Sequence, residues 1–204
     1  MRIESSSGRG GNTPSIVAVP FPPKATIKCV GSPAFRTRGA RDLACLLDVD
    51  PDVEKWQCLP SELRCGEAAH VPDFLVTYVT GRRSILDAAE NGEAWIGNAA
   101  DEAGYSHEFI PRRQRESGWR LRNARDLLRY GNHVCPLGDR IRVLATLDEV
   151  GSFSFAEGLT LFREIPPVAG LATLVLQTIL SVDLDEALIG PDTIVRRGNG
   201  EIGR

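Results

Sequence analysis

The chain has 204 residues, 42% of them hydrophobic and 25% charged, with a formal net charge of −3. That composition belongs to a globular protein rather than a disordered one, and the length accommodates one good core or two small ones. The slight acidity excludes an electrostatic nucleic-acid binder over the whole surface, so any such contact has to be a local patch.

The five cysteines (Cys29, Cys45, Cys58, Cys65, Cys135) are odd in number and irregularly spaced, with no C-x-x-C. This argues against a disulfide framework or a zinc knuckle and predicts reduced thiols in a cytoplasm. Residues 1–13 are rich in Ser and Gly and lack the apolar run of a secretory signal. The longest apolar stretch, 168–180, is interrupted by Gly170, Thr173, Gln177 and Thr178 and is too short to span a bilayer. A soluble cytoplasmic protein with no membrane contact is expected.

In chain order, residues 1–33 are punctuated by Gly, Ser and Pro and read as a flexible tail with one short strand at 16–19. Leu43, Leu46 and Leu47 have helical spacing and predict a helix over 40–47, followed by a turn at 50–52 and a strand at 53–59 closed by Pro60. The β-branched and aromatic run 70–79, the Thr80-Gly81 turn and the segment 84–88 predict a hairpin. A helix at 92–104 and a strand at 105–110 follow. Helix, strand, hairpin, helix, strand is a small mixed α/β domain, placed at 34–111.

After Pro111 the character changes. Arg112, Arg113, Arg115, Arg120, Arg122, Arg125 and Arg129 face only Glu116 and Asp126, with Trp119 and Tyr130 interleaved. This stretch, the connector and first helix of a second domain at 112–197, is a candidate DNA-phosphate surface. A helix at 137–150 stopped by Gly151, a capping box at Ser154 to Glu157, and a third helix from Pro166-Pro167 to about residue 180 follow. Short strands at 182–184 and 193–195 flank Gly190-Pro191. Three helices and a small hairpin outline a winged helix. Its third helix, 168–180, holds no Lys, Arg, Asn or His, so it is read as core or as a protein-docking surface rather than a base reader. Residues 198–204 form a tail.

Two carboxylates carry the candidate chemistry. Pro72-Asp73 opens the first hairpin strand and Asp87 lies on the second, a pattern similar to that of PD-(D/E)xK nucleases, which hold Mg²⁺ on hard oxygen ligands from rigid strands. Asp73 and Asp87 share a face if the loop between the strands has an odd number of residues, as Thr80-Gly81-Arg82 would supply. A two-residue Thr80-Gly81 turn puts them on opposite faces. His70 is read as a hydrogen-bonded structural side chain, and His107 and His133 as surface residues.

The series Asp48-x-Asp50-Pro51-x-Val53, then His70-x-Pro72-Asp73-Phe74-Leu75-Val76, resembles the amino-terminal domain of TnsA-like transposon endonucleases. Residues 122–125, the segment 136–140 and Asp183-Leu184-Asp185 resemble the second half of that family. The resemblance implies a restriction-endonuclease-like domain followed by a winged helix, over residues 35 to 197. It also implies Mg²⁺-dependent cleavage of one strand at each transposon end, beside a partner transposase and an ATPase regulator. Asp73 and Asp87 would then be the catalytic, metal-binding acids. Two departures stand out. No acid lies near Gly39 or Ala40, where the family's helix Glu falls, Asp42 being the nearest substitute. Ala89 occupies the place of the lysine, and Lys24, Lys28 and Lys55 all precede Asp73. The alternatives are a non-catalytic assembly or regulatory protein that keeps the nuclease fold and, from another class, a DNA-binding regulator using the Arg patch.

Overall fold

The computed structural model describes residues 26–198. The strand expected at 16–19, most of the amino-terminal tail and nearly all of the carboxyl-terminal one lie outside them. Helix α1 spans Arg38–Val49 and starts where the Thr37 hydroxyl accepts the Ala40 N–H at 3.0 Å. Its apolar stripe of Ala40, Leu43, Ala44 and Leu47 turns inward at the predicted spacing. The Asp50 carboxylate then accepts the Asp52 N–H at 2.9 Å, folding the turn into β1, Val53–Cys58. A register shift between Val53 and Lys55 lets Val53 and Trp56, three residues apart, both reach the core.

A small hairpin absent from the sequence expectations comes next, β2 (Leu63–Cys65) and β3 (Ala68–His70), turned by Gly66 at φ +60°. It takes His70 out of the strand predicted for 70–79. The continuation, β4, begins only at Phe74 and runs to Tyr78. Strand β5 (Arg83–Asp87), helix α2 (Ala94–Glu102) and strand β6 (Ser106–Phe109) complete the first half. The sheet order is β1-β4-β5-β6, antiparallel except for the β5–β6 pair, which is parallel. The chain is thus mixed α/β around a mixed sheet. Alternation along the strands divides its two faces. Phe74, Val76 and Leu86 pack with Trp56 and Phe35 against α1, while Leu75 and Ile85 pack with Ile96 and Ala100 of α2.

Beyond Pro111 come a short turn of helix, α3 (Arg112–Arg115), then α4 (Arg120–Leu128) and α5 (Leu137–Val150), which ends at Gly151 with φ +77°. Strand β7 (Ser152–Ser154), also missed in the sequence, leads into α6 (Phe155–Leu159), whose predicted Ser154–Glu157 capping box is formed. Helix α7 runs Pro167–Leu176, four residues short of expectation. The Ile179 N–H returns to the Leu174 carbonyl at 3.0 Å and the Thr178 N–H to Val175 at 2.9 Å, with Thr178 at φ +57°. This is a Schellman ending with threonine where glycine is usual. Strands β8 (Leu180–Ser181) and β9 (Ile194–Arg197) close a three-stranded antiparallel sheet ordered β7-β9-β8. The first of these falls two residues before the predicted 182–184. There the Asp183 carboxylate instead folds a turn on the Asp185 and Glu186 N–H groups.

Helix α7 is buried nearly all round. Leu171 and Leu174 pack with Val143, Leu147 and Val195. Ala172 and Leu176 pack with Leu121, Ala124 and Leu128 of α4 and with Cys45 of α1 in a further cluster. Its composition pointed to core or docking, and the structure makes it core. Among the described residues no helix is long and apolar enough to cross a membrane.

Candidate functional site

The two carboxylates singled out in the sequence meet. Phe74 opposes Leu86 and Thr77 opposes Arg83, and the Tyr78 N–H reaches the Arg82 carbonyl at 2.9 Å. The connecting loop is therefore Val79-Thr80-Gly81, an odd loop one residue earlier than Thr80-Gly81-Arg82, and the register brings Asp73 opposite Asp87 on one face. The Asp73 N–H donates to Asp87 Oδ1 at 3.0 Å, and the Ala88 N–H donates to Asp73 Oδ2 at 3.0 Å.

Protein donors occupy the rest of the pair. Arg36, just ahead of α1, donates from Nη2 at 2.7 Å and Nε at 3.2 Å to Asp73 Oδ1. The same guanidinium lies 3.9 Å from Asp87 Oδ1. His70 Nε2 and His107 Nε2 stand 2.8 and 2.9 Å from Asp87 Oδ2, which as a carboxylate can only accept. Burial pushes the Asp87 carboxyl up, but the hydrogen bonds from His107 and His70 and from the Asp73 N–H outweigh it. The group is held well below the ordinary carboxylate range. It stays ionised, with hydrogen bonds on both oxygens.

His107 is a correction to the sequence reading, which left it on the surface. Strand β6 lies parallel to β5 with His107 opposite Ile85, and this brings the imidazole to Asp87 with its side chain almost fully covered, edge-on to Phe109 at 4.5 Å. No linear spacing encodes that approach. His70 is hydrogen-bonded, as expected, and among the described residues His133 is exposed beside Tyr130.

Other groups fill the places where the resemblance would put a helix Glu and a lysine. A Cβ on Gly39 would lie 2.9 Å from Arg115 Nη2 and 3.4 Å from the Ala88 carbonyl oxygen, so Arg115 fills the room a longer side chain would need. Arg115 itself is buried and donates to the Ile110 carbonyl. Asp42 does not join the pair. Arg41 at 2.8 Å and Arg125 at 2.5 Å hold it. Neither described lysine reaches the site, Lys28 donating to the Asp50 carbonyl and Lys55 lying 3.4 Å from Glu54.

A divalent cation between two carboxylates needs oxygens that converge on a shared opening. Here each of the four oxygens of Asp73 and Asp87 already accepts a hydrogen bond from the protein, and a guanidinium sits where the positive charge belongs. Among the described residues no group of three or more His, Cys, Asp or Glu is arranged to hold a metal ion. In this arrangement the donor set does not fit a resident Mg²⁺.

The arginine run is divided among tasks. Arg115 and Arg125 are turned to internal partners, and Arg120 pairs with Asp185 at 2.7 Å. Arg112 and Arg129 lie on the surface in local pairs with Glu116 and Asp126 at 2.8 and 3.5 Å. Arg113 and Arg122 are exposed, and among the described residues neither makes an ion pair. The solvent-facing stripe is thus Arg112, Arg113, Arg122 and Arg129 beside exposed Trp119. The neighbouring β8–β9 loop is fastened down by Asn123, a residue whose role the sequence did not suggest. Its amide donates to the Leu184 and Ala187 carbonyls at 2.9 and 2.7 Å and accepts the Ile189 N–H at 3.0 Å.

Asp48, the first residue of the D-x-D-P motif, has an architectural task. It is fully buried and accepts from Trp56 Nε1 at 2.8 Å and from the Lys28 and Ile27 N–H groups at 3.0 and 3.1 Å. Burial raises its carboxyl to about 6 against those donors. None of the five cysteines forms a disulfide. No protein-family model matches the chain, and no curated protein matches it in sequence.

Proposed function

We propose that the chain is a TnsA-like subunit of a heteromeric DNA transposase in which the restriction-endonuclease-like domain serves assembly and has given up cleavage. Support for the kinship comes from the motif series and from the helix–strand–hairpin–helix–strand order around a sheet that carries the Asp73–Asp87 pair at one strand end. Support for a winged-helix second half comes from three helices, α5 to α7, with a strand after the first and a hairpin after the third. The single observation that carries the loss of cleavage is the occupation of all four carboxylate oxygens, with Arg36 as the built-in cation. The Arg36 guanidinium cannot take up the role of the absent lysine as a base, because it remains protonated at any working pH. The burial of α7 within the core argues against base reading by that helix, leaving the α3–α4 arginines as the proposed DNA-facing surface.

A second reading, a working nuclease, is favoured by one feature. Arg36 is a long side chain on a segment outside regular structure, and its withdrawal would leave two facing carboxylates. Calorimetric titration of Mg²⁺ and Mn²⁺ into the protein and its Asp73→Ala variant, with a plasmid-nicking assay alongside, separates the two. No difference in metal binding and no nicking are expected. Saturable binding that is lost in the variant, together with nicking, would sink the assembly reading.

A further inference from the structure

Two cysteines distant in sequence meet at the outer edge of β1. The Val30 N–H donates to the Trp56 carbonyl at 2.8 Å and the Trp56 N–H to the Lys28 carbonyl at 3.0 Å, which sets Cys29 opposite Trp56 in a single parallel bridge. Cys58 lies two residues beyond Trp56, so alternation turns all three side chains to one face. Both cysteines pack there on the core cluster that holds Phe35, Trp56 and Phe74, and each is half-buried. Their thiols are hydrogen-bonded to each other. Cys29 also has the Val30 and Gly31 carbonyls at 3.9 Å.

The pair is asymmetric. Cys58 accepts from the Cys29 thiol and from the Ala34 N–H, the latter at 3.3 Å, and these donors pull its thiol below the ordinary range against burial and the nearby Asp73 carboxylate. Cys29 is pushed up, by the same thiol–thiol hydrogen bond first and by burial second. Negative charge therefore collects on Cys58, and the thiolate is the nucleophilic form of cysteine. The remaining cysteines lack this arrangement. Burial raises Cys45 to about 12 and Cys135 to about 11, and Cys65 stands exposed on β2. An accessible thiolate beside a second cysteine that can resolve it is the arrangement of a redox-sensitive pair.

We propose that Cys58 is a site of oxidation by hydrogen peroxide and that Cys29 resolves it into a reversible Cys29–Cys58 disulfide. The Cys58 thiolate attacks one peroxide oxygen, the O–O bond breaks, and hydroxide leaves and takes a proton from solvent to become water. The Cys29 sulfur then attacks the Cys58 sulfenic acid. The S–S bond forms, the S–O bond breaks, and the hydroxyl departs with the Cys29 proton as a second water. The two thiols lose two electrons and the peroxide gains them. The last approach of the sulfurs falls to Cys29, which is tied by one bridge at the start of a segment outside regular structure, with Gly31 at φ +85° in it. A small dithiol reverses the step by exchange.

The test exposes the reduced full chain to a few equivalents of hydrogen peroxide, alkylates the remaining thiols with iodoacetamide, and maps tryptic peptides by mass spectrometry. Cleavage after Lys28, Arg36, Lys55 and Arg64 places Cys29 in peptide 29–36 and Cys58 in peptide 56–64. The expected product is these two peptides joined, lighter than their sum by two hydrogens and parted by dithiothreitol, with Cys45 and Cys135 alkylated. The oxidised chain should unfold at a higher urea concentration than the reduced one, since the bond closes residues 29–58 into a loop. Cys29→Ser is expected to leave Cys58 as a sulfenic acid that dimedone labels, and Cys58→Ser to slow oxidation of Cys29 by roughly tenfold or more. Cys29 and Cys58 both alkylated at a peroxide dose that oxidises exposed Cys65 would overturn the proposal. A disulfide that joins either of them to Cys65 in preference to each other, or dimedone labelling of Cys58 no faster than of Cys65 in Cys29→Ser, overturns it equally.

Discussion

The contact between Arg36 and Asp73 can be weighed by a double-mutant cycle. Two donors of one guanidinium meet a single carboxylate oxygen at 2.7 and 3.2 Å, with 35% of the Arg36 side chain exposed and 9% of Asp73. Fully exposed pairs contribute about 0.2–1 kcal/mol, while removing one partner of a buried pair costs about 3–5 kcal/mol. An interaction this lopsided in burial falls between the limits, and we expect a coupling energy of about 1–2 kcal/mol. The single variants should differ. Asp73→Ala also orphans the Ala88 N–H, adding about 1 kcal/mol or more, so it should cost more than Arg36→Ala. Urea unfolding of the wild type, both singles and the double, followed by the fluorescence of buried Trp56, gives the four free energies. Arg36→Ala should also gain stability from added Mn²⁺ where the wild type does not, since it leaves Asp73 beside ionised Asp87 without a cation. A coupling below about 0.5 kcal/mol would mean that the guanidinium is not bound in solution, and the argument that the site is closed would fail with it.

Two further outcomes follow from the structure. Asp48 has a folded-state carboxyl raised from its ordinary 3.8 to about 6, so the fold holds a proton that the unfolded chain releases. Its contribution to stability is present below pH 4 and lost as pH rises towards 6, by up to about 3 kcal/mol. Asp87 acts in the opposite sense but below the ordinary carboxylate range, so the windows do not overlap. Asp48→Asn should flatten the pH 4–6 slope of the urea midpoint, and an unchanged slope would refute the assignment. For DNA, Arg113→Glu with Arg122→Glu should weaken binding evenly across sequences and lower the salt slope by about 2, checked by fluorescence anisotropy at several salt concentrations. Loss confined to one sequence would contradict a phosphate-only role.

What the sequence disclosed was what local patterns can encode. The Leu43, Leu46 and Leu47 spacing marked α1, alternation through Phe74, Leu75 and Val76 marked a hairpin strand, and an apolar stretch without charge marked a helix that proved to be buried. The β2–β3 hairpin was missed because three-residue strands carry little periodicity, although Cys65-Gly66-Glu67 held a turn signal. The site was half legible. Asp73 and Asp87 stood out by motif, and their parity depended on one loop residue. Arg36 and His107 could not be found the same way, since one arrives from 37 residues away and the other across a parallel strand pair. Neither has a neighbour in sequence that announces it.

The apolar cluster joining α1, α4 and α7 has a consequence for covalent continuity. Exposed Ser117 and Gly118 link α3 to α4, whereas Cys45, Leu121, Ala124, Leu128 and Ala172 lock the helices on either side of that link together. A peptide bond cut there would sever the chain and leave the pieces clasped by burial alone. The protein is therefore suited to fragment complementation. Two separately produced segments, meeting along α4, would rebuild the whole without a joining bond.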